Sequence, residues 1–144
     1  MVDARAKGAR GEYAVRDMMR EHTGMQWERT PASGALEYQK GDLYIPNEKP
    51  RYIIEVKNYK ESPLSDKILT NTTNNLNQWW TKLVHQASQV PATPILFFKY
   101  DRSKWFVTVD REPRTVINYL HWKAKGCYTM LGEEWLQKEW KHYG

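Results

Sequence analysis

Apolar positions fall into short blocks along this chain, and their spacing predicts an alternation of helices and strands. Over residues 11–22, Tyr13, Ala14, Met18 and Met19 form an apolar stripe with Val15 at its edge, and Thr23-Gly24 supplies a stop. Residues 25–30 alternate well enough for a first strand and run into 31–34, a loop by composition. Two strands follow, at 42–45 and 51–56, joined through a turn at 46–50 that carries Pro46 and Pro50. Residues 58–73 show no periodicity and read as a long loop or flap. The pattern returns at 74–90, where Leu76, Trp79, Trp80, Leu83, Val84 and Ala87 mark an amphipathic helix whose stripe is core. A continuous apolar run at 94–100 suits a buried central strand, with a partner at 104–110. The last stretch reads as a short helix near 115–122, a strand at 127–130 and a helix from 132 to about 142. Its Trp135, Leu136, Trp140 and Tyr143 would pack on the body or against a second copy. This order predicts a mixed sheet with helices on its faces, an α/β (α+β) fold.

At 144 residues the chain fits a single domain, with a core that needs no disulfides. Composition narrows the function classes. Lys+Arg 22 against Asp+Glu 17 leaves a net charge of +5, which favours a polyanionic partner such as nucleic acid. The lone Cys127 excludes a disulfide framework, a zinc ribbon and an iron–sulfur cluster, and fits a reducing compartment. His22, His85, His121 and His142 show no ligand spacing, which argues against zinc. No signal peptide and no membrane span are visible, so a cytoplasmic protein is expected, with no membrane partner. The 7 Trp and 9 Tyr would fill the core or stack on bases.

Chemistry concentrates at 41–60, GDLYIPNEKPRYIIEVKNYK. Asp42 is followed, after twelve intervening residues, by Glu55 and then Lys57. Residues two apart on a strand share a face, so Glu55 and Lys57 point the same way and Ile54 and Val56 the other. Folding back at 46–50 would bring Asp42 beside Glu55. Two carboxylates and an ammonium are costly to bury unless paired or used. Together they suit a divalent metal and a phosphodiester. Around them, Glu12 reads either as a first-turn carboxylate favoured by the helix dipole or as a third acidic group above the sheet. Ser33 and Arg29 read as an ordinary turn or as phosphate contacts. Arg5, Lys7 and Arg10 belong to a frayed terminus or to an arm that neutralises phosphates. The 58–73 segment, with Lys60 in it, is functional or disordered.

Glu12 in a helix, Ser33 in a loop, Asp42, then Glu55-x-Lys57 on the next strand resemble the PD-(D/E)XK nuclease superfamily. The segments KGARGEYAVRDMM, RTPASG, GDLYI and IIEVKNYK are more similar still to the archaeal-type (Hjc-like) Holliday junction resolvases, over roughly residues 7–110. A phage or prokaryotic member is expected. The resemblance implies a restriction-endonuclease-like fold with a nuclease core at about 7–110 and a C-terminal extension at 111–144. It implies Asp42 and Glu55 as metal ligands with the Val56 carbonyl, and Glu12 adding a carboxylate directly or through water. Lys57 would orient the attacking water or stabilise developing charge, and Ser33 with Arg29 would touch the scissile phosphate. Arg5, Lys7, Arg10 and Lys60 would bind DNA. Mg²⁺ is the implied ion, with Mn²⁺ as substitute and no organic cofactor. The implied activity is paired hydrolysis of four-way DNA junctions by a homodimer, because two cuts need two sites held at fixed spacing. Three departures stand out: Gly41 where the family carries Pro before the Asp, a long 58–73 segment, and a tail after 110 that the resemblance does not cover. The alternatives are another endonuclease of the superfamily (flap, repair or restriction-type) and a non-catalytic DNA-binding domain of the same fold. Retention of Glu12, Asp42, Glu55 and Lys57 together argues against the last.

Overall fold

The strand most completely buried sits at the centre of the molecule and explains its layering. In this computed structural model, which describes residues 3–31, 41–70 and 74–143, Thr93–Lys99 forms that strand, β4. Ile95 and Phe97 face one side and Leu96 and Phe98 the other, all fully buried, which is why the run is apolar without alternation. Six more strands complete one sheet: β1 (Glu28–Arg29), β2 (Leu43–Tyr44), β3 (Tyr52–Asn58), β5 (Phe106–Val109), β6 (Leu120–Trp122) and β7 (Cys127–Leu131). Their order is β1-β2-β3-β4-β5-β7-β6. Among the described residues only β3 and β4 pair in parallel; the remaining pairs are antiparallel. The predicted mixed sheet with helices on its faces is what forms.

Among the described residues four helices cover it: α1 (Ala4–Thr23), α2 (Lys67–Thr70), α3 (Asn75–Gln89) and α4 (Gly132–Lys138). α1 and α4 lie on one face, where Val15 and Met19 pack with Ile54, Val56, Phe97 and Trp135. On the other face α3 carries the parallel crossover, burying Leu76, Trp80, Leu83 and Ala87 against Ile53, Leu96 and Phe98. Asn74 caps α3 by accepting from the Leu76 and Asn77 N–H groups, so this helix starts where the pattern predicts. Among the described residues no helix is long and apolar enough to cross a membrane.

Several expected elements differ. α1 begins at Ala4, capped by Asp3, so Arg5, Lys7 and Arg10 lie on its first turns rather than in a frayed end or an arm. Its apolar stripe starts only at Gly11 because no residue of the earlier turns is fully buried. Gly24, at φ 71°, ends α1 as Thr23-Gly24 predicts. The first strand shrinks to Glu28–Arg29. Within 58–73, the short helix α2 appears, and Pro63 is buried and tied by its carbonyl to the Asn74 amide at 2.9 Å. No helix forms at 115–122. There the Glu139 carboxylate accepts the backbone N–H groups of Arg114, Thr115 and Val116 at 2.7–2.8 Å, and 120–122 becomes edge strand β6. The tail therefore packs on the body: β7 joins β5, Trp135 is fully buried, and the Tyr52 hydroxyl donates to the Tyr143 carbonyl at 2.7 Å. The final helix stops at Lys138 and continues as a 3-10 turn, Trp140–His142.

Candidate active site

The turn into β2 begins at Gly41, whose φ of 86° is open to glycine and strained for other residues. A Cβ there would lie 2.8 Å from the Ile54 carbonyl oxygen and 3.0 Å from its nitrogen. Proline, fixed near φ −65°, could not take this conformation, so Gly41 is what lets this chain bring the next residue against β3. Asp42 is then held three ways. Its N–H donates to the Ile54 carbonyl at 2.7 Å, its carbonyl accepts the Thr30 N–H at 2.9 Å, and its Oδ2 accepts the Val56 N–H at 2.7 Å. Because β2 pairs with β3 only at Ile54, the Asp42 side chain takes over the edge of β3 where the ladder stops.

Glu55 and Lys57 project from β3 on the α3 side, with Lys57 Nζ 3.5 Å from Glu55 Oε1. Burial and the nearby Glu55 charge push the Asp42 carboxyl up to about 7, although the Val56 N–H pulls it back. Burial also raises Glu55, against the opposing pull of Lys57 and Lys82. Two half-buried carboxylates that are both raised, by burial first and then Asp42 by the charge of Glu55 and Glu55 by that of Glu12, are short of positive charge. That is the electrostatic condition a cation relieves.

Glu12 comes from α1, which passes so close to the end of β3 that a Cβ on Gly11 would sit 2.9 Å from Asn58 Cβ. Glu12 lies two turns inside the helix, so the helix-dipole reading of it falls. Its charge reaches both Asp42 and Glu55, and its Oε1 accepts from Arg29 Nε at 2.9 Å. Arg29 also donates to the Tyr13 hydroxyl at 3.2 Å, with its guanidinium 4.6 Å from the ring centre. Among the remaining predicted contacts, Lys7 pairs with Asp101, whose charge also feels Lys60 and Lys99, while Arg5 and Arg10 are exposed. Ser33 lies outside the described residues.

No group of three or more His, Cys, Asp or Glu is placed to hold an ion among the described residues. The donor set that fits a hard divalent cation is smaller: the second Asp42 oxygen, Glu55, and the Val56 carbonyl, which shares a strand edge with the N–H that Asp42 accepts. Glu12, turned to Arg29, stands beside this set. The α3 wall opposite Glu55 and Lys57 is formed by Gln78, Trp79, Lys82 and Gln86, of which the sequence pattern marks only Trp79, and as core. Its helical spacing was visible, but only the register with β3 shows which face meets the carboxylates.

Asp42, Glu55 and Lys57 lie where the β2–β3 ladder stops, in the order and spacing of the PD-(D/E)XK motif, and the chain is an endonuclease-family member of that type. The chain matches the family described as "Phage putative PDDEXK endonuclease" over residues 3–137 and belongs to it. Protein D14 of Escherichia phage T5 is 39% identical over 125 residues, covering 83% of this chain and 78% of that protein. A solved structure of Archaeoglobus fulgidus Hjc, a Holliday junction resolvase, superposes with a TM-score of 0.47 at 19% identity, covering 87% of this chain and 88% of that one. The family match extends well beyond residue 110, through β7 and nearly all of α4.

Proposed function

We propose that this nuclease is a structure-selective endodeoxyribonuclease that resolves four-way DNA junctions by paired hydrolysis, acting as a homodimer with Mg²⁺ or Mn²⁺. The observation that carries the chemistry is the Asp42–Glu55 carboxylate pair with Lys57 3.5 Å from Glu55. When bound, the ion supplies Lewis-acid polarisation of the phosphate and neutralises its charge. Asp42, Glu55 and the Val56 carbonyl would hold it. Lys57 orients the attacking water and offsets the negative charge that builds on the phosphate as the bond breaks. Glu12 and Arg29 position one another at the flank, and Arg29 with Ser33 reaches the scissile phosphate. Arg5, Lys7, Arg10 and Lys60 engage neighbouring phosphates, giving binding that weakens as salt rises.

Junction choice is supported by the four motif segments in order, KGARGEYAVRDMM, RTPASG, GDLYI and IIEVKNYK. Two sites on a symmetric dimer would give paired cuts. The test is to incubate the purified protein with a synthetic four-way junction and with the matched linear duplex, in Mg²⁺ or in EDTA. Symmetric nicks confined to the junction, dependent on the ion and abolished in Glu55→Ala without loss of binding, are expected. Equal cutting of the linear duplex would sink the junction reading in favour of a duplex-cutting member. A Glu55→Ala variant that cuts at the normal rate would sink the site.

A further inference from the structure

We propose that the recess between β3 and α3 is a subsite for an unpaired nucleotide of the DNA strand beside the cut. This deepens the nuclease reading and rests on Glu55 and Lys57 being the reacting site. The recess is a shallow one of about 180 Å³, and it opens directly onto Glu55 and Lys57. Its other wall is one face of α3, where Gln78, Trp79, Lys82 and Gln86 recur at helical spacing beside the stripe that buries on the sheet.

The chemistry of that wall matches a nucleotide group by group. Trp79 is half-buried and backed by Tyr59 and Phe98, with ring centres 5.0 and 6.3 Å away, so it presents an aromatic surface already fixed in place. Tyr59 is itself 44% exposed at the end of β3. Gln78 and Gln86 carry amides that make no hydrogen bond among the described residues, leaving donors and acceptors for a base edge. Lys82 forms no ion pair there, although its charge reaches Glu55, and with Lys57 it places a second ammonium where a phosphate would enter. An aromatic wall, amides and two cations in one recess suit base, sugar and phosphate together. A base stacked inside a duplex cannot reach such a wall. The strand must therefore offer a nucleotide already out of the stack, as at a branch point.

The experiment places 5-iododeoxyuridine in turn at each position around the branch of a four-way junction, and at the same positions of the matched duplex. Complexes are irradiated in EDTA, where no cutting is needed, and crosslinked peptides are mapped by mass spectrometry. The expected result is a crosslink to Trp79 or Tyr59 from the junction and none from the duplex. Lys82→Met and Gln86→Ala should each lower the yield, and together raise the KM for cutting about fivefold or more. Crosslinks that map only elsewhere would overturn the subsite. So would a double variant indistinguishable from the natural chain in both yield and KM. A natural chain that cuts DNA but gives no crosslink to either ring removes the subsite alone. A crosslink to Trp79 from a chain that cuts no DNA with any divalent ion removes the nuclease reading, and with it the subsite beside a cut, and leaves only a nucleotide-binding recess.

Discussion

Arg29 Nε donates to Glu12 Oε1 at 2.9 Å and so ties the first strand to the first helix beside the carboxylate pair. The same guanidinium reaches the Tyr13 hydroxyl and lies against its ring, which a lysine ammonium could not reproduce in one geometry. Glu12→Gln should raise the divalent-ion concentration needed for half-maximal cutting by about 10- to 100-fold, the usual cost of losing a group that supports a metal site. Arg29→Lys should shift the same curve in the same direction. Ion titrations of cutting that superpose on those of the natural chain would show that the pair only joins two elements.

Asp42 is raised to about 7 by burial and by Glu55, and Glu55 is raised as well. Between the ordinary carboxylate range and pH 7 the folded chain then holds protons that the unfolded chain has released. These two groups therefore stabilise the fold below the ordinary Asp and Glu values, and that contribution is lost as pH rises towards 7. In EDTA, Asp42→Asn should melt several degrees above the natural chain at pH 8, with the gap closing towards pH 4. Added Mg²⁺ should narrow the gap at pH 8 by raising the melting temperature of the chain that keeps Asp42. A difference in melting temperature that does not change with pH would refute the raised carboxyl.

Gly41 and Gly8 form a matched pair for a backbone test. Gly41→Ala forces a side chain into a positive φ and against the Ile54 backbone, and should cost about 1–3 kcal/mol while displacing Asp42 and abolishing cutting. Gly8 lies within α1 with nothing within 4 Å of a Cβ, so Gly8→Ala should gain about 0.5–1 kcal/mol. Urea melts of the two variants measure both. Equal effects at the two positions would mean that the Gly41 turn tolerates a side chain.

The residues proposed to carry the chemistry were legible because their spacing is set by one strand and one turn. Glu55 and Lys57 share a face by the period of β3, and the prolines at 46 and 50 foretold the reversal that brings Asp42 back to it. The α3 and β4 patterns were equally plain, since each buries a continuous stripe or run. The tail was not. Val116 and Tyr119 mimic a helical stripe, but the backbone N–H groups at 114–116 turn onto a carboxylate more than twenty residues later, a partner no local pattern announces. The opening turns of α1 were hidden for the opposite reason, as they bury too little to leave an apolar signature. The wall of the recess needed the register between α3 and β3, which only the folded chain provides.

Glu139 is 3% exposed and accepts three backbone N–H groups, from Arg114, Thr115 and Val116. Burial pushes its carboxyl up, but the three donors together outweigh that and hold it below the ordinary Glu value. A depressed carboxyl stabilises the fold above its unfolded value, and the contribution is lost as pH falls through the folded value. Glu139→Ala strands three donors at about 1–3 kcal/mol each if water cannot replace the carboxylate, so the loss should be several kcal/mol and fall on the 111–119 segment first. Glu139→Gln keeps acceptor capacity in its one amide oxygen and should lose less. Hydrogen exchange gives the sharper reading: the amides of Arg114, Thr115 and Val116 should lose protection in Glu139→Ala well before those of β4. Unchanged protection at these three amides would show that the packing of Trp135 and Tyr143, rather than Glu139, holds the segment against the body.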